Sequence, residues 1–239
     1  MIEESEGSSQ LPTSRELVTL ILRRLSRIGG EVRLAAPQSD PSIDQGDESE
    51  DNLSNVLKEL PEAALEEVKS LLLTLHSLFP NELLLALDIL DRRQIGHIVL
   101  PTDEDDATCA RPIYMISSGT PTNKRQLTRR ENYTVCLDSW SCSCPAFIIA
   151  VMADSDALSI QRVAREDDET AKCSVRWMQH NQWLFGGIMP ASTNLAQLPI
   201  CKHLLACILA DQCHPLFGRH VETLHLSKAE AAARWANTD

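Results

Sequence analysis

Apolar residues recur at Leu17, Leu20, Ile21, Leu25 and Ile28, which at 3.6 residues per turn share one face of a helix, while Arg23, Arg24 and Arg27 fall mostly off it. A Thr13-Ser-Arg-Glu16 capping box opens this helix and Gly29-Gly30 closes it, so residues 1–30 read as an N-terminal helical segment. A second stripe, Leu65, Val68, Leu72, Leu75 and Phe79, predicts a helix from Pro61 to Phe79, with Glu66, Glu67 and Lys69 off the stripe. His76 shares its apolar side without a cysteine or carboxylate at metal spacing, so it reads as a packing residue. Pro80 ends that helix and Asn81 caps the next, over 82–92. This third helix is apolar nearly all round apart from Asp88 and Asp91, which predicts cover on both sides, from the chain's own sheet and second helix or from a partner subunit. Residues 55–93 thus form a helical pair.

Further along, the period shortens to two. Residues 95–100, 112–117 and 133–138 read as strands of an antiparallel meander. Residues 153–197 read as a long insertion with an aromatic cluster, Trp177, Trp183, Leu184 and Phe185, ahead of Gly186-Gly187; tryptophans in such a place imply that it folds back on the core. Leu204, Leu205, Ile208 and Leu209 stripe a helix from Cys201 to near Asp211, and a Ser227-Lys-Ala-Glu230 capping box starts a last helix that includes Ala231 and Trp235. Residues 214–239 read as a C-terminal helical tail, and the fold class is α+β.

Charge changes this picture in two places. The net charge of −12 argues against strong stand-alone binding to nucleic acid. Half of it is local: Asp40, Asp44, Asp47, Glu48, Glu50 and Asp51 stand without a compensating cation, so residues 31–54 read as an acidic disordered linker. The densest basic group, Lys124, Arg125, Arg129 and Arg130, lies in the loop before the third strand, where four charges without an aromatic stacking surface make a weak nucleic-acid signature. No run of 18 apolar residues occurs and the N-terminus is acidic, so a soluble intracellular chain is expected, and its eight cysteines read as thiols and metal ligands.

The chemistry concentrates at Cys142-Ser-Cys144-Pro and Cys201-Lys-His203. Two cysteines one residue apart turn both sulfurs to one side of an extended knuckle. Cys201 and His203 cannot both lie within a helix and meet, since residues two apart diverge by about 200°; Cys201 belongs in the turn before the helix, behind Pro199, with His203 in the first turn. The start of a helix favours thiolate over thiol. Cys142, Cys144, Cys201 and His203 therefore predict one tetrahedral, structural zinc with no open position. Cys207 is the rival, sharing a helix face with His203 at i, i+4. Cys136 reads as a strand core residue, Cys109 as an exposed thiol, and Cys173 with His180 or Cys213 with His214 lack a second ligand pair. Ile148-Ile-Ala-Val-Met152, just after the knuckle, should pack beneath the metal as a short helix or strand.

Fifty-six residues separate Cys144 from Cys201. Closing that loop costs about 3.6 kcal/mol, against roughly 10 to 16 kcal/mol from structural zinc, so the spacer does not threaten the site.

The C-x-C…C-x-H pattern is that of the SWIM type of zinc finger. With the run from Asn81 to Arg92, Tyr133-Thr-Val-Cys-Leu, Cys142-Ser-Cys144-Pro-Ala-Phe147 and Cys201-Lys-His203-Leu-Leu-Ala206, the chain resembles the SWIM-domain subunit of Shu complexes over about 81–152 and 200–212. The long spacer departs from the short one frequent in that family. The resemblance implies a non-enzymatic subunit in the nucleus that binds a RecA-like recombinase paralogue and promotes homologous recombination and double-strand break repair. It implies indirect or weak DNA contact, no membrane and no small-molecule substrate. A DNA-binding zinc finger is the alternative, disfavoured by the acidic balance. A zinc enzyme is disfavoured further, because four protein ligands close the site and no H-x-E with P-C-x-x-C occurs.

Overall fold

The computed structural model describes residues 11–35, 57, 60–100, 113–118, 131–153, 183–189 and 193–236. In chain order these give α1 (Ser14–Ala35), α2 (Glu62–Leu78), α3 (Leu83–Asp91), β1 (Ile95–Val99), β2 (Ile113–Ser118), β3 (Glu131–Cys136), β4 (Ser141–Cys142), α4 (Pro145–Ala153), α5 (Lys202–Gln212), α6 (His214–Phe217), β5 (Val221–His225) and α7 (Lys228–Ala236). The fold is α+β: seven α-helices and a mixed sheet of five strands among the described residues. The acidic stretch from residue 36 to 56, both meander loops with the basic group at 124–130, Cys109, Cys173, Trp177 and His180 lie outside them.

The meander forms as the alternation predicts. β1 runs antiparallel to β2 with Ile95 opposite Ile116, and β2 antiparallel to β3 with Ile113 opposite Cys136. β4 adds to β3 with Val135 opposite Cys142. The region expected to be only a helical tail departs from that reading: β5 pairs in parallel with β1, Ile95 opposite Val221, giving the order β4-β3-β2-β1-β5. The short polar run Val-Glu-Thr-Leu-His carries little hydrophobic alternation; β5 is an edge strand held by backbone pairing, by Val221 against the main core and by Leu224 against the cluster on the other face. Leu224 fills the space over Gly96, where a Cβ would sit 2.5 Å from its Cδ1.

The helices bury one face of the sheet in a core that draws on Leu25, Leu75, Leu90, Ile116, Val135, Leu204 and Phe217. A smaller cluster on the other face joins Ile98 and Met115 to Leu226 and to Ala231 of α7. The Ser227 box caps α7 as predicted, with Glu230 accepting from Ser227 N at 2.9 Å and Ser227 Oγ accepting from Glu230 N at 3.2 Å.

α1 begins at its capping box, Thr13 N donating to Glu16 at 2.7 Å. It does not stop at Gly29-Gly30 but runs through to Ala35. Gly29 serves close packing instead: a Cβ there would lie 2.7 Å from Cγ of Leu216 on α6. Ile21, Leu25 and Ile28 of the predicted stripe are buried, but Val18 and Leu22 join them in place of Leu17 and Leu20, which are 38% and 52% exposed. Two polar residues lead that stripe into the core because their groups are satisfied there. Arg15, 1% exposed, donates from Nε to Phe185 O at 2.6 Å and from its terminal nitrogens to Met189 O at 3.3 Å. Thr19 Oγ1 accepts from Phe185 N at 3.0 Å.

α2 follows its prediction closely, with Pro61 before it and Phe79 after it, and Val68, Leu75 and Phe79 buried. Asn81 is not the cap of α3. Leu83 N bonds to Phe79 O at 3.1 Å, so the turn carries on from α2 and Glu82, in the helical region, takes the N-cap position without a side-chain bond. α3 buries Leu83, Ala86, Ile89 and Leu90, while Leu84 and Leu85 remain exposed; among the described residues only one side is covered.

Candidate metal centre

The knuckle starts from a tight turn after β3. Trp140 N bonds to Leu137 O at 3.1 Å, and Trp140 takes φ of 48°, a left-handed conformation that costs an L-residue roughly 1–2 kcal/mol. Its indole offsets that cost. It is 3% exposed, packs edge-on to Phe185 at 4.9 Å between ring centroids, and donates from Nε1 to Pro199 O at 2.9 Å. Pro199 stands two residues before Cys201, so this bond ties the knuckle to the start of α5. Phe185 also packs against the rings of Phe79 and Trp183, so the described end of the insertion does fold back on the core.

β4 then turns Cys142 and Cys144 inward and Ser143 outward, the alternation expected of an extended segment. Ser143 N donates to Thr134 O and Ser143 Oγ accepts from Thr134 N, both at 3.0 Å, which fixes the knuckle to β3. Two helices start at ligands. Ile148 N bonds to Cys144 O at 3.2 Å, placing Cys144 just before α4 with Pro145 as its first residue; Cys201 is the N-cap of α5. His203 follows in the first turn, as the spacing required, and its Nδ1 lies 3.9 Å from Cys142 Sγ.

Ligand atoms of Cys142, Cys144, Cys201 and His203 all lie within 4.8 Å of one another, and all four residues are buried. Around a tetrahedral zinc, sulfurs at about 2.3 Å would stand about 3.8 Å apart, and a sulfur and an imidazole nitrogen about 3.6 Å apart. The group therefore fits a structural metal ion such as zinc with small adjustments of side chains.

Each sulfur also accepts one backbone N–H: Cys142 from Cys144, Cys144 from Phe147 at 3.4 Å, and Cys201 from Leu204 at 3.4 Å. These bonds and the two helix starts place positive potential where thiolates gather. Without a cation the three sulfurs cannot share that benefit equally. Hydrogen bonds from the Cys142 and Cys201 thiols hold Cys144 well below the usual thiol range. Cys142, donating to Cys144 and interacting with Cys201 in a buried place, is held far above it. Cys201 is pushed up to about 12, the lowering by its bond from Cys142 being outweighed by its donation to Cys144 and by burial. A dication changes the balance, stabilising all three thiolates together.

The rival cysteines are placed elsewhere. Cys207 is fully buried on α5, outside the group of four, its thiol pushed well up by burial. Cys213 donates to Leu22 O at 3.4 Å, and burial pushes it up to about 12; His214 beside it is exposed. Cys136 lies on β3 as expected, but it is half-buried and not a core residue. The expectation that 148–152 packs beneath the metal fails. The segment is helical, but only Phe147 of α4 is buried, and Ile149 and Met152 are 66% and 69% exposed. With Cys144 as the cap and Pro145 first, Phe147 and, one turn on, the half-buried Val151 face the core, while Ile148, Ile149 and Met152 point out.

Sequence reasoning missed Tyr133, whose ring lies 4.7 Å from that of His203 at 35°, and the bridging role of Trp140. It also missed Cys144 as a helix cap, although a cysteine directly before proline carries that signal. Comparison with protein-family models, with curated proteins and with solved structures finds no match to this chain. No helix among the described residues is long and apolar enough to cross a membrane.

Proposed function

We propose that the chain is a non-enzymatic interaction subunit, built on one zinc held by Cys142, Cys144, Cys201 and His203, that binds a RecA-like recombinase paralogue and promotes homologous recombination and DNA double-strand break repair in the nucleus. The observation that carries the zinc reading is the buried group of three sulfurs and one imidazole. Four protein donors fill a tetrahedron, which leaves no position for a reacting water and suits a structural ion. Such an ion would join β3–β4 and the start of α4 to the start of α5, which lies far from them in sequence. The recombination role is supported by the resemblance of Cys142-Ser-Cys144-Pro and Cys201-Lys-His203 with their flanking runs to the SWIM subunit of Shu complexes.

The test is capture of a RecA-like recombinase paralogue by the full chain, beside Cys142→Ser and His203→Ala, with zinc content and circular dichroism measured on each sample. Retained zinc and partner in the wild type and loss of both in the variants are expected. Full partner binding by a folded, zinc-free variant overturns the coupling of zinc to the interaction, and absence of capture by the zinc-loaded wild type overturns the partner.

A further inference from the structure

We infer that His203 ligates through Nδ1, the ring nitrogen nearer the backbone, and that Tyr133 is the residue that positions its ring for this. The inference rests on the zinc reading above and deepens it by assigning the donor atom and its support.

The local architecture leaves the imidazole a short reach. Cys201 caps α5 with its sulfur held at the N–H of Leu204, so the point shared by the sulfurs lies close against the start of the helix. His203, two residues on, stands beside that point. Its Nδ1 is the nitrogen that faces Cys142 Sγ, at 3.9 Å. The two nitrogens of an imidazole point in divergent directions, so with Nδ1 on the sulfurs Nε2 is directed out of the group. A metal-bound ring would then carry its proton on Nε2.

Tyr133 holds the plane of that ring. It shares a face of β3 with Val135, which is paired with Cys142, so the strand that registers the knuckle also sets the tyrosine beside the histidine. The two rings lie 4.7 Å apart between centroids with 35° between their planes. Turning the imidazole out of its plane would carry Nδ1 away from the sulfurs and would have to displace the tyrosine. A ring packed against a ligand in this way is worth roughly two- to tenfold in metal affinity when removed.

The experiment uses the full chain labelled with ¹⁵N at histidine and loaded with ¹¹³Cd in place of zinc. Long-range ¹H–¹⁵N spectra are expected to show cadmium coupling at Nδ1 of His203 and the proton on Nε2. Coupling at Nε2, with the proton on Nδ1, overturns the donor assignment while leaving the zinc reading intact. A chain that takes up no cadmium, or holds it with no histidine nitrogen coupled, overturns the zinc reading and this inference with it. For Tyr133, chelator competition should show Tyr133→Ala weakening the metal roughly two- to tenfold, with Tyr133→Phe restoring the wild-type value. Unchanged affinity in the alanine variant overturns the positioning role, and equal loss in the phenylalanine variant overturns ring stacking in favour of the hydroxyl. Should Tyr133→Ala fail to fold by circular dichroism, Tyr133→Leu, which fills the place without an aromatic ring, takes its part with the same readings.

Discussion

Replacing Trp140 separates what its backbone costs from what its side chain contributes. Truncation to alanine removes a buried indole and should destabilise by about 3–5 kcal/mol, yet leaves a residue with a Cβ at φ of 48°. Glycine at the same position loses the same packing but is relieved of the left-handed cost of roughly 1–2 kcal/mol. Trp140→Gly should therefore be more stable than Trp140→Ala by about 1 kcal/mol, the reverse of the order usual for these residues. Trp140→Phe keeps most of the contact with Phe185 and loses the bond to Pro199 O; about 1 kcal/mol for the bond and a similar amount for the smaller ring give about 2 kcal/mol. For a chain of this size that is a fall in Tm of roughly 4–8 °C. Because the lost bond links the knuckle to the start of α5, the phenylalanine variant should also bind zinc up to about tenfold more weakly, the equivalent of about 1.4 kcal/mol. Thermal melts of the zinc-loaded proteins, with chelator competition on the same samples, decide the matter. An alanine variant as stable as the glycine one refutes the backbone argument, and unchanged zinc affinity in Trp140→Phe refutes the bridge.

Elemental analysis should find one zinc per chain in the wild type and in Cys207→Ser but none held stoichiometrically by Cys201→Ser; the opposite pattern would move the site down the helix. Adjacent glycines of α1 should respond with opposite sign. A Cβ added at Gly30 would meet nothing within 4 Å, so Gly30→Ala should stabilise by about 0.5–1 kcal/mol, whereas Gly29→Val meets Leu216 and Pro215 and should cost about 1–3 kcal/mol in urea unfolding. Removal of 155–195 cuts out no ligand and should by that measure spare the zinc in elemental analysis; with Phe185 buried against Phe79 and Trp140, however, the deletion should lower Tm sharply in thermal melts.

What can be read in the sequence follows from how local each signal is. α2, the caps of α1 and α7, and three strands rest on periodicity and on contacts three residues apart, and those are written in neighbouring positions. The four-residue group is legible because C-x-C and C-x-H each carry their geometry within three residues, even though the halves are far apart. The misses depend on distant partners. Nothing near Gly29 announces Leu216, nothing near Val221 announces β1, and the buried face of α1 starts with Arg15, Val18 and Thr19 in place of Leu17 and Leu20 because Arg15 and Thr19 find backbone partners at Phe185 and Met189. A rule that sends arginine outward has no access to a carbonyl 170 residues away.

The bond from Arg15 to Phe185 also sets a clock for synthesis. At about 5–20 residues per second, a ribosome that has completed α1 needs roughly 8–30 s more before the carbonyls that receive Arg15 have been made. Over that interval the nascent helix carries a bare apolar stripe headed by a charge whose acceptors do not yet exist, and the second pair of zinc ligands arrives later still. Holding factors on the emerging chain would therefore act first on its N-terminal end, and a sudden supply of zinc could complete the molecule only after most of it had left the ribosome.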